Sequence, residues 1–547
     1  MKWKPNRLKG VLTGTVAAFA LISACVDPQA ETAETAETSE QHAEAKKSEG
    51  AQLDCSLESL TAPADTTLVK AERFDDPVSY CRIDGYVTTT NPGPNQVNFM
   101  VALPDEHNER YFFTIQGGAA AFVPDPSPMH LDQGYAVAST DKGVKAAHIL
   151  DFSFRNDPAM SLDWAYRGVH VAAVATQALT REYYSSDTLY RYAAGCSGGG
   201  DGTLSSAEMY PEDFDGFIGA AMTTAPLEIN HFWGAIAQRL HQQPESWISP
   251  EEYEQIHTVL LEKFDGLDGA EDGLIWYANN IILERDDFDF LNDEQFGLLQ
   301  FMQAGLKPEK DTFYPGFWLA NVTENPRFLT GHTPPPWETF QDQPAGFIVT
   351  DTGAKAINGP DYNVLDEIDY SDRDQLIADR NLQQSKGRHA FDPARLSALK
   401  QSGGKLILWT GMAEQAVPPG NIVTYTEALD DLHGAGERES FVRTFLVPGL
   451  HHCFGGDCAP TDTPDKMLEA AAAWVEDGQA PDAVILSNPV RAAVAGERQG
   501  LAMGGEVTEA ATRTYKICSF PQRARFVGGL DNPEDLDVSN AENWVCE

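Results

Sequence analysis

Between Leu189 and Pro211 the chain reads LYRYAAGCSGGGDGTLSSAEMYP. A β-prone run, Leu189 to Ala194, leads into Gly195-Cys196-Ser197-Gly198-Gly199, and an Ala/Leu/Ser/Met run of helical character follows. A G-x-S-x-G pentapeptide between strand and helix constrains the backbone more than any other stretch of the chain. The turn is tight enough that its flanking positions need glycine, and it lifts the serine hydroxyl above the end of a sheet. A glycine-rich turn with an incidental serine has the same pattern, so the rest of the chain must supply a nucleophile's partners.

The surroundings supply the sheet. Val97 to Leu103 and Tyr111 to Ile115 are β-like, and Gln116-Gly117-Gly118-Ala119-Ala120-Ala121 forms a small-residue turn after the second. Gly134 to Thr140 predicts another strand ending at Asp141, Leu162 to Tyr184 one long helix, and Phe217 to Met222 a buried strand. This alternation is that of a parallel, doubly wound α/β sheet. It stops near Thr223. Residues 223–403 are rich in aromatics, prolines and acids, and predict a cap inserted over the carboxyl end of the sheet. Most of the aromatics are needed for the cap's own core, leaving one or two to line a pocket for a flat group. The alternation resumes with a strand over Leu406 to Trp409, a helix over Asn421 to Leu432, a strand over Phe441 to Val447 and a helix over Met467 to Val475. The core is thus expected in two parts, 53–222 and 404–547.

A formal charge of −43 argues against nucleic acid and anionic membrane surfaces as partners, and disfavours polyanionic substrates. At the N-terminus, Lys2, Lys4, Arg7 and Lys9 precede an apolar run from Val11 to Ala24, too short to span a bilayer comfortably. Leu21-Ile22-Ser23-Ala24-Cys25 resembles a bacterial lipobox, with residues 1–24 as signal peptide and Cys25 lipidated; ordinary cleavage near Ala24 is the alternative. Residues 25–52, with their AET repetition, predict a disordered acidic tether. An exported chain follows, in the periplasm, anchored to the outer membrane or secreted, with the lipid as its only membrane contact. Export makes the seven later cysteines disulfide candidates, and their odd number leaves one over.

A serine nucleophile needs a base within reach and an acid to orient it. Glu414 lies in the loop after Leu406–Trp409, with Asp430 and Asp431 as alternative acids near the end of the next helix. His451 and His452 follow the strand ending at Val447. Cys196 adjoins Ser197 and Cys453 adjoins His452, so a serine–histidine hydrogen bond would bring the two cysteines within disulfide range; that selects His452 as base. In the cap, Asp265, Asp268 and Asp272 stand among glycines. They form either a solvated acidic turn or a calcium site completed by the carbonyls of Ala270 and Leu274. The spacing fits neither an EF-hand nor a zinc site.

These motifs resemble the tannase and feruloyl esterase family of α/β-hydrolases. The resemblance rests on Gly195 to Gly200, Tyr210 to Gly216, Gly134 to Val137 with Asp141, Tyr166-Arg167 with His170, Gly411 to Pro419, Pro448-Gly449 with His452-Cys453, and the calcium-loop pattern. It implies an α/β-hydrolase fold with a large calcium-binding lid, Ser197, Glu414 and His452 as catalytic triad, and oxyanion donors at Gly118 and Gly198. It implies the Cys196–Cys453 bridge and a calcium ion held by Asp265, Asp268, Asp272 and the two carbonyls. It further implies terminal disulfides Cys55–Cys81 and Cys518–Cys546, with Cys458 left over. Three positions depart from the family pattern. Glu414 stands where aspartate is usual, Phe264 stands where a lid cysteine is usual, and the oxyanion segment from Ile115 to Ala119 is less glycine-rich. The expected activity is hydrolysis of small aromatic esters of feruloyl, galloyl or terephthaloyl type through an acyl-enzyme. The alternatives are an esterase of aliphatic or other small esters, and an exported binding protein that kept the fold without the activity.

Overall fold

The computed structural model describes residues 52–76, 78–309, 312–491, 507–528 and 537–547. The predicted leader, Cys25 and the tether as far as residue 51 lie outside them. Nine strands form one sheet: β1 (Thr66–Phe74), β2 (Tyr80–Thr89), β3 (Asn95–Pro104), β4 (Arg110–Ile115), β5 (Ala136–Thr140), β6 (Tyr190–Cys196), β7 (Gly216–Ala220), β8 (Lys405–Gly411) and β9 (Val442–Val447). Their order is β1-β2-β3-β5-β4-β6-β7-β8-β9. The pairs β1–β2, β2–β3 and β3–β5 are antiparallel, and every neighbour from β5 through β4 to β9 is parallel. In register, Ile115 faces Gly195, Cys196 faces Ala220 and Gly411 faces Val447. The carboxyl ends of these strands therefore share one edge, where open α/β sheets bind ligands.

Helices cover both faces because parallel strands leave apolar side chains on each. Val169, Ala172 and Leu179 of the helix Gly168–Tyr184 pack on one side, and Met467, Leu468 and Trp474 of Thr463–Asp477 on the other. The expected single helix from Leu162 is interrupted. A short helix, Pro158–Leu162, passes through a π-turn at Asp163–Arg167 before Gly168–Tyr184 begins. The cause is Asp163, fully buried, which accepts from Thr89 Oγ1 and Asn95 Nδ2 at 2.8 Å each and pairs with Arg167 at 2.5 Å. The wide turn carries Asp163 and Trp164 inward.

Between β7 and β8 the described chain contains helices and no strand of the sheet. This insertion has its own apolar cluster, with Phe232, Ile236, Leu260, Leu299 and Phe317 in it. The cluster does not end with the insertion, for Met412, Ala413, Ala416 and Val417 of the loop after β8 belong to it. Disulfides join Cys55 to Cys81, Cys196 to Cys453 and Cys518 to Cys546. Cys458 is not left over: it is disulfide-bonded, and no described cysteine is free.

Candidate active site

Ser197 sits between β6 and the helix Gly198–Met209 with φ 59° and ψ −128°. A side-chain-bearing residue holds that conformation only when its surroundings force it. Here the forcing is mutual packing: a Cβ on Gly195 would lie 2.5 Å from the Gly199 carbonyl carbon, and one on Gly199 would lie 2.2 Å from Ile115 O. Ser197 N donates to Ala220 O at 2.9 Å, which ties the turn to β7.

His452 and Glu414 come from the loops after β9 and β8. His452 Nδ1 is 2.8 Å from Glu414 Oε1. The same oxygen accepts from the backbone N–H of Ala416 at 2.8 Å and Val417 at 3.1 Å, so the longer glutamate side chain is folded back and fixed by its own loop. Asp430 is engaged elsewhere, receiving Arg438 Nε at 2.8 Å, and Asp431 is exposed. Desolvation holds the half-buried His451 imidazole below its usual pKa, and its Nε2 has no partner. The disulfide holds the Cα atoms of Cys196 and Cys453 5.9 Å apart, fastening the serine turn to the histidine loop. Ser197 and His452 line one cavity of about 450 Å³.

Gly118 and Gly198 also line it, in direct apposition: a Cβ on Gly198 would lie 2.7 Å from Gly118 O and 2.8 Å from Gly118 N. Both carbonyls are held from behind. Trp164 Nε1 donates to Gly118 O at 3.0 Å, and Lys142 Nζ donates to Gly198 O at 3.2 Å. Lys142 was not singled out by the sequence; it is fully buried, and burial pushes its ammonium down to about 7. The insertion closes the cavity with Trp233, Phe328 and Val349, and Phe328 meets the His452 ring edge-on at 5.3 Å.

The acidic loop of the insertion is separate. Asp268 Oδ2 is buried without a partner, and burial, then Asp272 and Asp265, push this carboxyl up to about 8. Crowded negative charge and an orphaned oxygen fit a hard cation. The neighbouring carboxylates are otherwise engaged: Asp265 accepts from the backbone of Asp272, Gly273 and Leu274, while Asp272 takes Arg513 and Trp276 Nε1. Among the described residues no three His, Cys, Asp or Glu side chains already converge on one point, so a cation held here would draw Asp265 and Asp272 away from these bonds.

Strand order, helical layers and a serine turn at the sheet edge define an α/β-hydrolase. The solved structures agree: feruloyl esterase B from Aspergillus oryzae superposes with a TM-score of 0.73 at 20% identity, covering 89% of this chain and 98% of that one. Tannin acyl hydrolase from Aspergillus niger gives 0.67 at 18% identity, covering 90% and 92%. In sequence the chain is 28% identical over 497 residues to a probable feruloyl esterase of Arthroderma benhamiae, with 86% of each chain covered. It is 25% identical over 539 residues to an uncharacterized esterase of Xanthomonas campestris pv. campestris, covering 90% and 88%. The profile of the family described as tannase and feruloyl esterase matches residues 81–283 and 299–540, and the chain belongs to that family. It is accordingly a carboxylic ester hydrolase of feruloyl esterase and tannase type.

Proposed function

We propose that this protein is an exported serine esterase acting on esters of aromatic carboxylic acids through Ser197, His452 and Glu414. The observation that carries the reading is the 2.8 Å contact between His452 and Glu414 on a loop that a disulfide joins to the Ser197 turn. Ser197 Oγ attacks the ester carbonyl as His452 takes its proton, and Glu414 orients the imidazole and balances its positive charge. The N–H groups of Gly198 and Gly118 receive the oxyanion, each worth roughly 3 kcal/mol of transition-state stabilisation. His452 returns the proton to the departing alcohol, and water then releases the acid from the acyl-enzyme. Phe152, Trp164, Trp233 and Phe328 in the cavity wall favour a flat acyl group. Export is supported by the three disulfides, which persist in oxidising compartments.

The test is an ester panel, acetyl against feruloyl and galloyl, on wild type and Ser197→Ala. Turnover of the aromatic esters by wild type, lost in the variant, is expected; no turnover on any ester sinks the reading, and a preference for acetyl esters removes the aromatic part. Calcium is proposed for the acidic loop, with Asp265, Asp268, Asp272 and the carbonyls of Ala270 and Leu274 as ligands. Chelation should lower the melting temperature, and an unchanged melting curve removes the metal.

A further inference from the structure

The cavity wall holds a charge arrangement that ester cleavage by Ser197 leaves unexplained. Lys142 Nζ and the guanidinium carbons of Arg155 and Arg388 lie 4.5, 5.9 and 5.6 Å from the centre of the Trp164 ring. Lys142 is committed to the Gly198 carbonyl. The two arginines are not comparably committed. Arg388 donates Nη2 to Pro226 O at 2.7 Å, but its Nε and Nη1 are buried without partners, as are both terminal nitrogens of Arg155. Arg388 lines the cavity, and the 5% exposed Arg155 stands behind it against Phe152 and Trp164.

Among the described residues no carboxylate forms an ion pair with these cations, although Asp201 lies near enough to favour the charged forms of Lys142 and Arg155. Asp201 is the only acidic residue lining the cavity among the described residues, and its oxygens are taken by Thr223 N and Oγ1. Arg327, also in the wall, already faces Glu324 at 3.6 Å. A chain with net charge −43 has placed Arg388 without an ion-pair partner in the wall of the cavity that Ser197 lines, with Arg155 behind it. Buried charge without a counter-charge is destabilising, so such an arrangement persists where a ligand supplies the counter-charge. A guanidinium fork matches a carboxylate in geometry as well as charge.

We infer that Arg388, with Arg155 behind it, forms a carboxylate-binding subsite, and that the preferred substrates are esters carrying one free carboxylate besides the ester group. The inference rests on the esterase reading and narrows its substrate class. Trp164 spans the short gap between this subsite and the oxyanion loop, since its indole N–H reaches Gly118 O while its ring faces the arginines. The carboxylate belongs either to the acyl part or to the alcohol part.

Two isosteric substrate pairs distinguish these sources: methyl 4-carboxycinnamate against methyl 4-carbamoylcinnamate, and carboxymethyl cinnamate against carbamoylmethyl cinnamate. In at least one pair the acid should exceed its neutral amide in kcat/KM by about tenfold or more. Arg388→Met should bring that ratio close to one, and Arg155→Met should lower it. If both amides match their acids in wild type, or if the preference survives in Arg388→Met, the subsite does not exist. If no cinnamate is cleaved, it is the hydroxycinnamoyl part of the proposed function that fails instead. The subsite is then judged on Ser197→Ala by thermal shift: 4-carboxycinnamate should stabilise where 4-carbamoylcinnamamide does not, and equal effects overturn it.

Discussion

The sheet and the helical insertion are held together by different means. The sheet and the segments around it carry all three of the disulfides named above, whereas the chain from 197 to 452 contains no cysteine and the insertion relies on its apolar cluster. The candidate site straddles the two regimes. The turn of Ser197 and the loop of His452 are joined through the Cys196–Cys453 disulfide, but Glu414 sits on a loop whose Met412, Ala413, Ala416 and Val417 are part of the insertion's core. Trp233 of the insertion also donates to Ala416 O at 3.0 Å. With the proposed triad, loosening the insertion would reach the chemistry through Glu414, and loosening the sheet edge would reach it through Ser197 and His452.

The largest effect that tests this division is on turnover. Glu414→Ala should lower kcat on the order of 10³–10⁴-fold with little change in melting temperature. Asp430→Ala should do the opposite: it leaves the fully buried Arg438 without its main partner, costing about 3 kcal/mol of stability while the folded fraction keeps its activity. Activity assays beside melting curves decide it, and the reverse pattern would move the acid to Asp430.

Next come the disulfides. Replacing Cys196 and Cys453 together by serine should cost about 2–4 kcal/mol and also reduce turnover, since the serine and histidine loops lose their link. Replacing Cys55 and Cys81 should cost stability alone. Equal losses of activity in the two double variants would show that the link at the site has no special part in the chemistry.

The smallest effect is the dependence of sheet stability on acid. Burial pushes His130 down to about 3, and neither of its ring nitrogens has a partner. The folded protein keeps this ring neutral, while the unfolded chain protonates it below about pH 6.5. Stability contributed by the neutral ring is thus present above pH 6.5 and is lost as pH falls toward 3. His107, pushed down to about 4 chiefly by burial, and His257, likewise about 4, act in the same direction. His130→Phe should make the fall shallower by up to about 1.4 kcal/mol per pH unit, measured by denaturant titration between pH 6.5 and 4. An unchanged slope would mean the ring is protonated in the folded state.

How far the sequence could be read depended on whether a signal was local. The Ser197 turn, Glu414, His452 and Cys453 each follow a strand directly, so spacing alone brought them to one edge. The break at Asp163 was invisible because its cause is a buried carboxylate bonded to Thr89 and Asn95, more than sixty residues away. β1 escaped for another reason: it is an edge strand with no fully buried residue, and so shows little alternation. Lys142, Arg155 and Arg388 lie in three unrelated segments and meet only around Trp164, so nothing short of the fold assembles them. The departure at Glu414 is accounted for by the two backbone N–H groups that hold the longer side chain.

The bond between Cys196 and Cys453 closes a covalent ring across a sequence separation of 257 residues, with the whole insertion inside it. A protease that cuts any exposed loop of the insertion opens that ring without releasing a fragment. The nicked chain stays a single covalent species, with the Ser197 turn and the His452 loop still tied together, until a reductant parts them. In a protease-rich surrounding, the least crosslinked region of the molecule is thus the one where a break is best tolerated.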